Sequence, residues 1–245
     1  MLYDRDIREP LFDFLEEKYG KCRMLEEKIM GSSRADIVMV TEDSFYGIEI
    51  KSDRDSYARL SGQVWDYERF FDRNYVVVGS SHAGHIAEHV PAHWGIISVE
   101  EAVNAAEGAV LPSRKTPDFY LLREPADNPN VEPQRKLSLL WRPELRRIQE
   151  RNGMPEYKRL GKKRLLEKIA SYVDYPILRR EMSAELFERD YTKIGGEIER
   201  YRLETLSREP GKRGGVLPRK SKSGKRRRRE PELLVSRVVR GRRGK

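Results

Sequence analysis

The sequence predicts an α/β protein in which a central mixed sheet is flanked by helices and followed by a small helical C-terminal module. Three observations predict it. Apolar residues recur at helical spacing in residues 4–19 and 56–71, strand-sized apolar runs alternate with helical stretches up to residue 99, and the pattern beyond residue 137 is helical.

In residues 4–19, Ile7, Leu11, Phe14 and Leu15 fall on one helical face. Pro10 is tolerated near a first turn, so a helix beginning a few residues before it would set Glu9 at its N-terminus. Strands are expected at about 23–29, 35–40 and 45–51, the last two joined by the turn Thr41, Glu42, Asp43 and Ser44. Tyr57, Leu60, Val64, Tyr67 and Phe71 then follow steps of three and four, as in an amphipathic helix packed on a sheet. Residues 75–79 read as a buried strand, 82–89 as a short helical stretch and 94–99 as another strand. Strands alternating with helices after an antiparallel hairpin imply a mixed sheet.

Prolines 125, 129 and 133 place a linker at 123–136, between a first domain at 1–122 and a helical module at 137–210. In that module Leu139, Leu140, Leu145 and Ile148 mark one helix, which Asn152, Gly153 and Pro155 end, and Leu165, Leu166 and Ile169 mark a second. Further helices are expected at 176–189 and 196–207. Residues 211–245, dominated by Gly, Lys and Arg, read as a basic disordered tail with a short ordered piece at 233–239.

The formal net charge of +9 is unevenly distributed. Residues 1–122 hold 14 basic and 22 acidic groups, residues 123–210 hold 20 and 16, and the last 35 hold 15 and 2. The first segment is therefore no general phosphate-binding surface, whereas the tail, with Arg226 and Arg227 inside its run at 225–229, has the electrostatics of a nucleic-acid tether. A solubilising extension is the plainer reading of such a run. No apolar run approaches the roughly 20 residues of a membrane span, and the acidic N-terminus lacks the layout of a secretion signal. With Cys22 alone no internal disulfide can form, so a cytoplasmic location is expected, nucleoid-associated if the tail binds DNA. The sequence has no glycine-rich phosphate loop and no nucleophile elbow, which leaves nucleotide hydrolases and α/β hydrolases without support. His82, His85, His89 and His93 lack a cysteine or second ligand pair and read as a polar helix surface rather than a zinc site.

The hairpin carries the chemistry. If residues 41–44 form its loop, Val40 faces Phe45, Asp36 stands opposite Glu49, Arg34 stands opposite Lys51, and all four charged groups share one face. An opposed Asp and Glu repel, and a divalent cation between them removes the conflict. Two carboxylates, the backbone carbonyl of Ile50 and waters suit Mg²⁺ or Mn²⁺. Lys51 adds a positive group that can orient a water or stabilise charge developing on a phosphate. Glu-x-Lys alone is common, so the weight rests on Asp36, the strand placement and the register.

The series Glu9, Asp36 within Arg34-Ala35-Asp36-Ile37-Val38, and Glu49-Ile50-Lys51 resembles the PD-(D/E)XK nuclease superfamily, whose core is restriction-endonuclease-like. Its order and spacing are similar to archaeal Holliday-junction resolvases, although Ala35 stands where the motif's proline would be. The first half and part of the helical unit also resemble an uncharacterised bacterial and phage family assigned to that superfamily. The resemblance implies a metal-dependent DNA endonuclease or exonuclease in which Asp36 and Glu49 ligate metal, Lys51 is the catalytic lysine, and Glu9 reaches the metal through water. Gln63 and Tyr67, four apart on a helix, are similar to Gln and Tyr pairs beside the active site of RecB-type relatives, although Tyr67 also belongs to the apolar stripe. Ser32, Ser33 and Arg34 are candidates to hold a scissile phosphate.

Residues 139–145 with 160–169 resemble a SAP-type helix, extended segment and helix, which implies phosphate contacts from Lys162, Lys163 and Arg164. A small helical bundle packed on the first domain or on a partner fits the same pattern. DNA is the expected partner, a homodimer would serve paired cuts, and phage defence and DNA repair are the expected settings. An RNA nuclease and a non-catalytic DNA-binding or assembly protein with the same fold are the alternatives.

Overall fold

The computed structural model describes residues 2–102, 116–157, 159–190, 200 and 236–238. Helix α1 (Asp4–Tyr19) buries the expected stripe of Ile7, Leu11 and Leu15. Its first turn is closed by the Asp6 carboxylate, which accepts the Tyr3 N–H at 3.0 Å. Because the helix already begins at Asp4, Pro10 lies inside it and Glu9 sits in the second turn, not at the N-terminus.

Strands β1 (Arg23–Met30), β2 (Ser33–Val40) and β3 (Phe45–Lys51) form the expected antiparallel meander. Helix α2 (Leu60–Phe70), entered through a 3₁₀ turn at Tyr57–Arg59, leads to β4 (Arg73–Gly79). The short α3 (Ser80–Ala83) and a second 3₁₀ turn precede β5 (Gly95–Ala102). β3, β4 and β5 are parallel, so the sheet is mixed. A further strand, β6 (Thr116–Arg123), runs antiparallel to β5. Sequence reasoning missed it because Tyr120 and Leu122 on its outer face are also apolar, which blurs the two-residue alternation.

Two cores lie on opposite faces of the sheet. On one, α1 covers Met24, Ile37, Ile48, Ile50, Val77 and Ile97. On the other, Leu60, Tyr67 and Phe70 of α2 cover Val38, Phe45, Val76 and Val78. Gly47 lets α2 come this close: a Cβ there would lie 2.2 Å from the Phe71 ring and 2.6 Å from that of Tyr67.

The second core continues without a break into α4 (Pro133–Ser138), α5 (Arg142–Arg151), α6 (Lys162–Tyr172) and α7 (Tyr175–Phe187), through Leu137, Leu145, Ile169 and Leu178. The stretch expected to be a linker is bonded to the first unit. The Ala126 N–H donates to His93 O and the Asn128 N–H to Asp72 O, while the Asn128 amide donates to the carbonyls of Glu68 and Phe71. The helices expected at 165–169 and 176–189 are present as α6 and α7; of the residues marking the one before them, Leu145 and Ile148 lie in α5, whereas Leu139 and Leu140 fall in the turn that precedes it. Apart from residue 200, the helix expected at 196–207 lies outside the described residues, as do the tail residues Arg226 and Arg227. Within the tail only the short strand β7 (Ser236–Val238) is described, antiparallel to β1.

Asp72 ties the helical unit to the sheet. Its carboxylate accepts the Phe45 N–H at 2.7 Å, the Tyr175 hydroxyl at 2.6 Å and the Lys136 ammonium, with Arg179 at 3.6 Å. Lys136 is wholly buried, and that burial pulls its ammonium down to about 8 while Asp72 opposes the shift. Asp72→Ala would strand a buried cation and two donors, so a loss of about 3–5 kcal/mol is expected in urea unfolding. The double change Asp72→Asn with Lys136→Met should cost clearly less. Equal losses would show that the pair itself is not the tie.

Candidate functional site

The hairpin register holds through four pairs, from Val40 opposite Phe45 to Ile37 opposite Ile48, and there the two strands part. β2 continues with β1, pairing Ala35 with Lys28 and Arg34 with Ile29, while β3 continues with β4, pairing Glu49 with Val76 and Lys51 with Val78. The expected ladder partners Asp36 with Glu49 and Arg34 with Lys51 therefore do not form. Instead the Asp36 carboxylate accepts the Ile50 N–H at 2.8 Å, at the place where a regular ladder would have carried on. In a strand the N–H and C=O of one residue point to the same edge, so the Ile50 carbonyl faces the same fork.

Into this fork α2 projects Gln63 and Tyr67. The Tyr67 hydroxyl donates to Glu49 Oε2 at 2.7 Å, lies 3.1 Å from Ile48 O, and accepts the Asp36 N–H at 3.3 Å. Tyr67 does pack in the core, where its ring is fully buried, and its hydroxyl bridges the two strands. Burial, Glu49 and Asp36 push its phenol well above the usual range, so it stays protonated and serves as a donor. The Gln63 amide donates to Glu49 Oε1, and its carbonyl accepts Lys51 Nζ at 3.0 Å. Lys51 also donates to Glu49 Oε1. Glu49 and Lys51 are 1% and 6% exposed, so a charged pair, a glutamine and a tyrosine share one nearly dry corner.

Glu49, Lys51 and Gln63 line a cleft of about 760 Å³ together with Asp36, Ile50, Ser33 and Arg34. α1 contributes Asp4 and Arg8 to it, whereas the expected Glu9 is exposed and does not line it. Arg8 donates to Asp4 at 2.7 Å, to Glu27 at 2.7 Å and to the Asp36 carbonyl at 3.2 Å, and lies 3.6 Å from Asp36 Oδ1. Burial works against its charge, but Asp4, Asp36 and Glu27 outweigh burial and hold its pKa above the ordinary value. Sequence reasoning missed Arg8, although its spacing of four from Asp4 on a helix that starts at Asp4 was a usable sign. Arg34 pairs with Glu27 at 2.5 Å. Ser32 is held by Asp66 of α2, to which its hydroxyl and N–H donate at 2.8 and 3.1 Å; burial opposes the Asp66 charge, and bonds from Ser33 and Ser32 bring its carboxyl below the usual range.

Asp36 is the group whose charge is least settled. Burial, and then the neighbouring Glu49 carboxylate, push its carboxyl up to about 7 despite the Ile50 N–H and Arg8. Two close carboxylates in this state need a proton or a cation. Asp36, Glu49 and the Ile50 carbonyl are hard oxygen donors of the kind Mg²⁺ and Mn²⁺ take. Among the described residues no three His, Cys, Asp or Glu side chains form a metal cage, and a cation held by Asp36 and Glu49 would keep several waters. The histidines do not converge on one another. His82 and His89 flank the Tyr57 ring at 4.9 and 4.3 Å, His93 meets Glu68 at 2.9 Å, and His85 is exposed.

Away from the cleft, Lys162, Lys163 and Arg164 form the exposed first turn of α6. Lys162 donates to the Ser138 carbonyl at 2.9 Å. α5, the described residues of 152–157 and 159–161, and α6 have the expected order of helix, irregular segment and helix. No helix among the described residues is long and apolar enough to cross a membrane.

A family model described as bacteriophage P4 protein cII matches residues 2–197. No curated protein matches the chain. A solved structure described as SPO1766, a protein of unknown function from Silicibacter pomeroyi, is similar at 19% identity and a TM-score of 0.33 over 55% of this chain and 84% of that one. A likeness at that TM-score bears on neither the fold nor the chemistry here.

The raised Asp36 carboxyl gives a pH test. Its pKa lies near 7 in the fold against about 4 in an unfolded chain. The stability it contributes is complete below about pH 4 and is lost as pH rises through about 7. A bound cation offsets that loss by holding the ionised form. Thermal melts in chelator and in excess Mn²⁺ should show a larger cation-induced rise in Tm at about pH 8 than at about pH 6, and Asp36→Asn should abolish the difference. The same rise at both pH values would remove Asp36 from the cation site.

Proposed function

The chain belongs to the bacteriophage P4 protein cII family, and we propose that this member is a Mg²⁺- or Mn²⁺-dependent deoxyribonuclease of the PD-(D/E)XK kind that hydrolyses phosphodiester bonds. The observation that carries the reading is the meeting of Asp36, Glu49 and Lys51 at the fork between β2 and β3, with Gln63 and Tyr67 delivered to the same point by α2. Asp36, Glu49 and the Ile50 carbonyl would hold the cation. When bound, it supplies Lewis-acid stabilisation of the charge that builds on a phosphate.

The protein's own groups do the rest. Tyr67 fixes one oxygen of Glu49 and Gln63 the other, so the carboxylate is presented in one orientation. Lys51, held between Glu49 and Gln63, is a positive group in a nearly dry corner, where it stabilises negative charge more strongly than it would in water. Arg34 and Arg59 on the cleft wall, and Arg8 once drawn from its acidic partners, supply cationic contacts for the phosphates of an entering strand. Ser33 lies on the same wall. The exposed Lys162, Lys163 and Arg164 would grip a phosphate backbone in SAP-like fashion and hold DNA without reading its sequence.

A second reading has one observation in its favour. Both Glu49 oxygens already accept bonds from protein donors, as they would in a binding protein that keeps the fold and does no chemistry. Labelled single-stranded, duplex and branched DNA, and RNA, incubated with Mg²⁺, Mn²⁺ or chelator, separate the readings. Cation-dependent cleavage of DNA is expected, with Glu49→Gln and Lys51→Met each lowering the rate about 100-fold or more. Binding without cleavage of any substrate would favour the second reading, and cleavage confined to RNA would change the substrate class. A triple change of Lys162, Lys163 and Arg164 to alanine should lower the slope of log affinity against log salt by about two to three. An unaltered slope would take α6 out of the interface.

A further inference from the structure

Among the described residues the largest exposed aromatic is Trp65, 60% accessible on the outer face of α2. It extends no apolar patch along its own helix, since its neighbours at three and four residues' distance are Ser61, Gly62, Glu68 and Arg69. The Arg69 guanidinium lies 3.5 Å from the ring centroid and is itself steadied by Glu132 at 3.1 Å. The indole is thus backed by a fixed cation on one face, while much of its surface meets solvent. A free side chain would lose rotamer entropy on meeting a ligand, and this stacking removes part of that cost beforehand.

The surroundings of Trp65 are those of a strand-binding path. One helical turn before it, Ser61 and Gly62 line the cleft that holds Lys51, Arg34 and Arg59. One turn after it, Arg69 shares Glu132 with Arg135, and Arg135 and Lys163 line a separate hollow of about 310 Å³ floored by Phe70 and Leu166. An apolar ring between two grooves that each carry cations matches the alternation of base and phosphate in an unpaired strand. A protein partner would need contiguous apolar surface, which the helix around Trp65 does not offer.

We propose that Trp65, backed by Arg69, is a stacking platform for an unpaired nucleobase, so that the strand entering the cleft is single-stranded beside the site of reaction. This rests on the nuclease reading for its substrate class. Aromatic platforms of this kind tolerate any base, because each base offers a π face.

The test uses the full chain in chelator with an oligothymidylate of about fifteen nucleotides and a blunt duplex of the same length. Trp94 is buried and bonded to Glu68, and Trp141 is half-buried against Arg189, so the emission lost in Trp65→Phe reports the exposed ring. Oligothymidylate is expected to quench that component. Trp65→Ala should weaken oligothymidylate binding about 5- to 150-fold, the range for loss of one stacked base, with duplex binding changed less than about twofold and Trp65→Phe retaining most of the affinity. Unquenched Trp65 emission, or equal losses on oligothymidylate and duplex, would overturn the proposal and leave the face to another partner. Cleavage of the oligonucleotide with Mn²⁺ is scored separately. Cleavage without Trp65 quenching refutes the platform alone, and quenching without cleavage of any substrate refutes the nuclease reading alone.

Discussion

The candidate site depends on the parting of β2 and β3 beyond Ile37 and Ile48. Up to that point the hairpin is an ordinary ladder; past it each strand pairs only with its outer neighbour, and a wedge-shaped space opens between them. Backbone groups exposed by such a split need partners in a buried setting. Asp36 supplies one by accepting the Ile50 N–H, and Tyr67 supplies others at the Asp36 N–H and the Ile48 carbonyl. The groups that satisfy the broken ladder are also the ones that present the carboxylates. Holding the fork open and building the site are therefore one structural act.

Charge burial follows from the same design. Glu49 and Lys51 sit at the end of a strand buried along its whole length, where an isolated ion would be costly and a hydrogen-bonded cluster is tolerable. The device recurs. Asp72 joins the sheet to Lys136 and Tyr175, Glu144 takes Arg189 in a paired contact at 2.6 Å for each bond, and Glu68 gathers Trp94, His93 and Asn130. Each cluster lies where two elements meet and sets a direction that packing alone would leave loose.

Much of this was legible in the chain, within physical limits. The loop at 41–44 fixed Val40 against Phe45, and alternation along the strand put Glu49 and Lys51 together. The fork was not legible, because register arithmetic assumes that a ladder continues and says nothing of a side chain such as Asp36 that replaces a ladder bond. Glu9 was placed at a helix start on the strength of Pro10, but α1 already begins at Asp4, which leaves Glu9 in the second turn, and the cleft receives Asp4 and Arg8. Residues 123–136 look like a linker because they are polar and proline-rich, and only three-dimensional contacts reveal Asn128 bonded to the end of α2. Helical spacing found Gln63 and Tyr67 and set Tyr67 in the apolar stripe, yet it could not tell that the buried ring would also carry its hydroxyl to Glu49.

The unbroken core from Phe45 through Leu137 to Leu178 has a consequence for how such a molecule would handle a polymer. In a nuclease of the kind proposed, a holding module and a cutting site joined by a loose tether would sample many separations, and the site of action would wander along the polymer. With Asp72 riveting α4 and α7 to the sheet, the offset between the basic turn of α6 and the fork becomes a property of the fold, like the fixed gap between the fence and the blade of a saw.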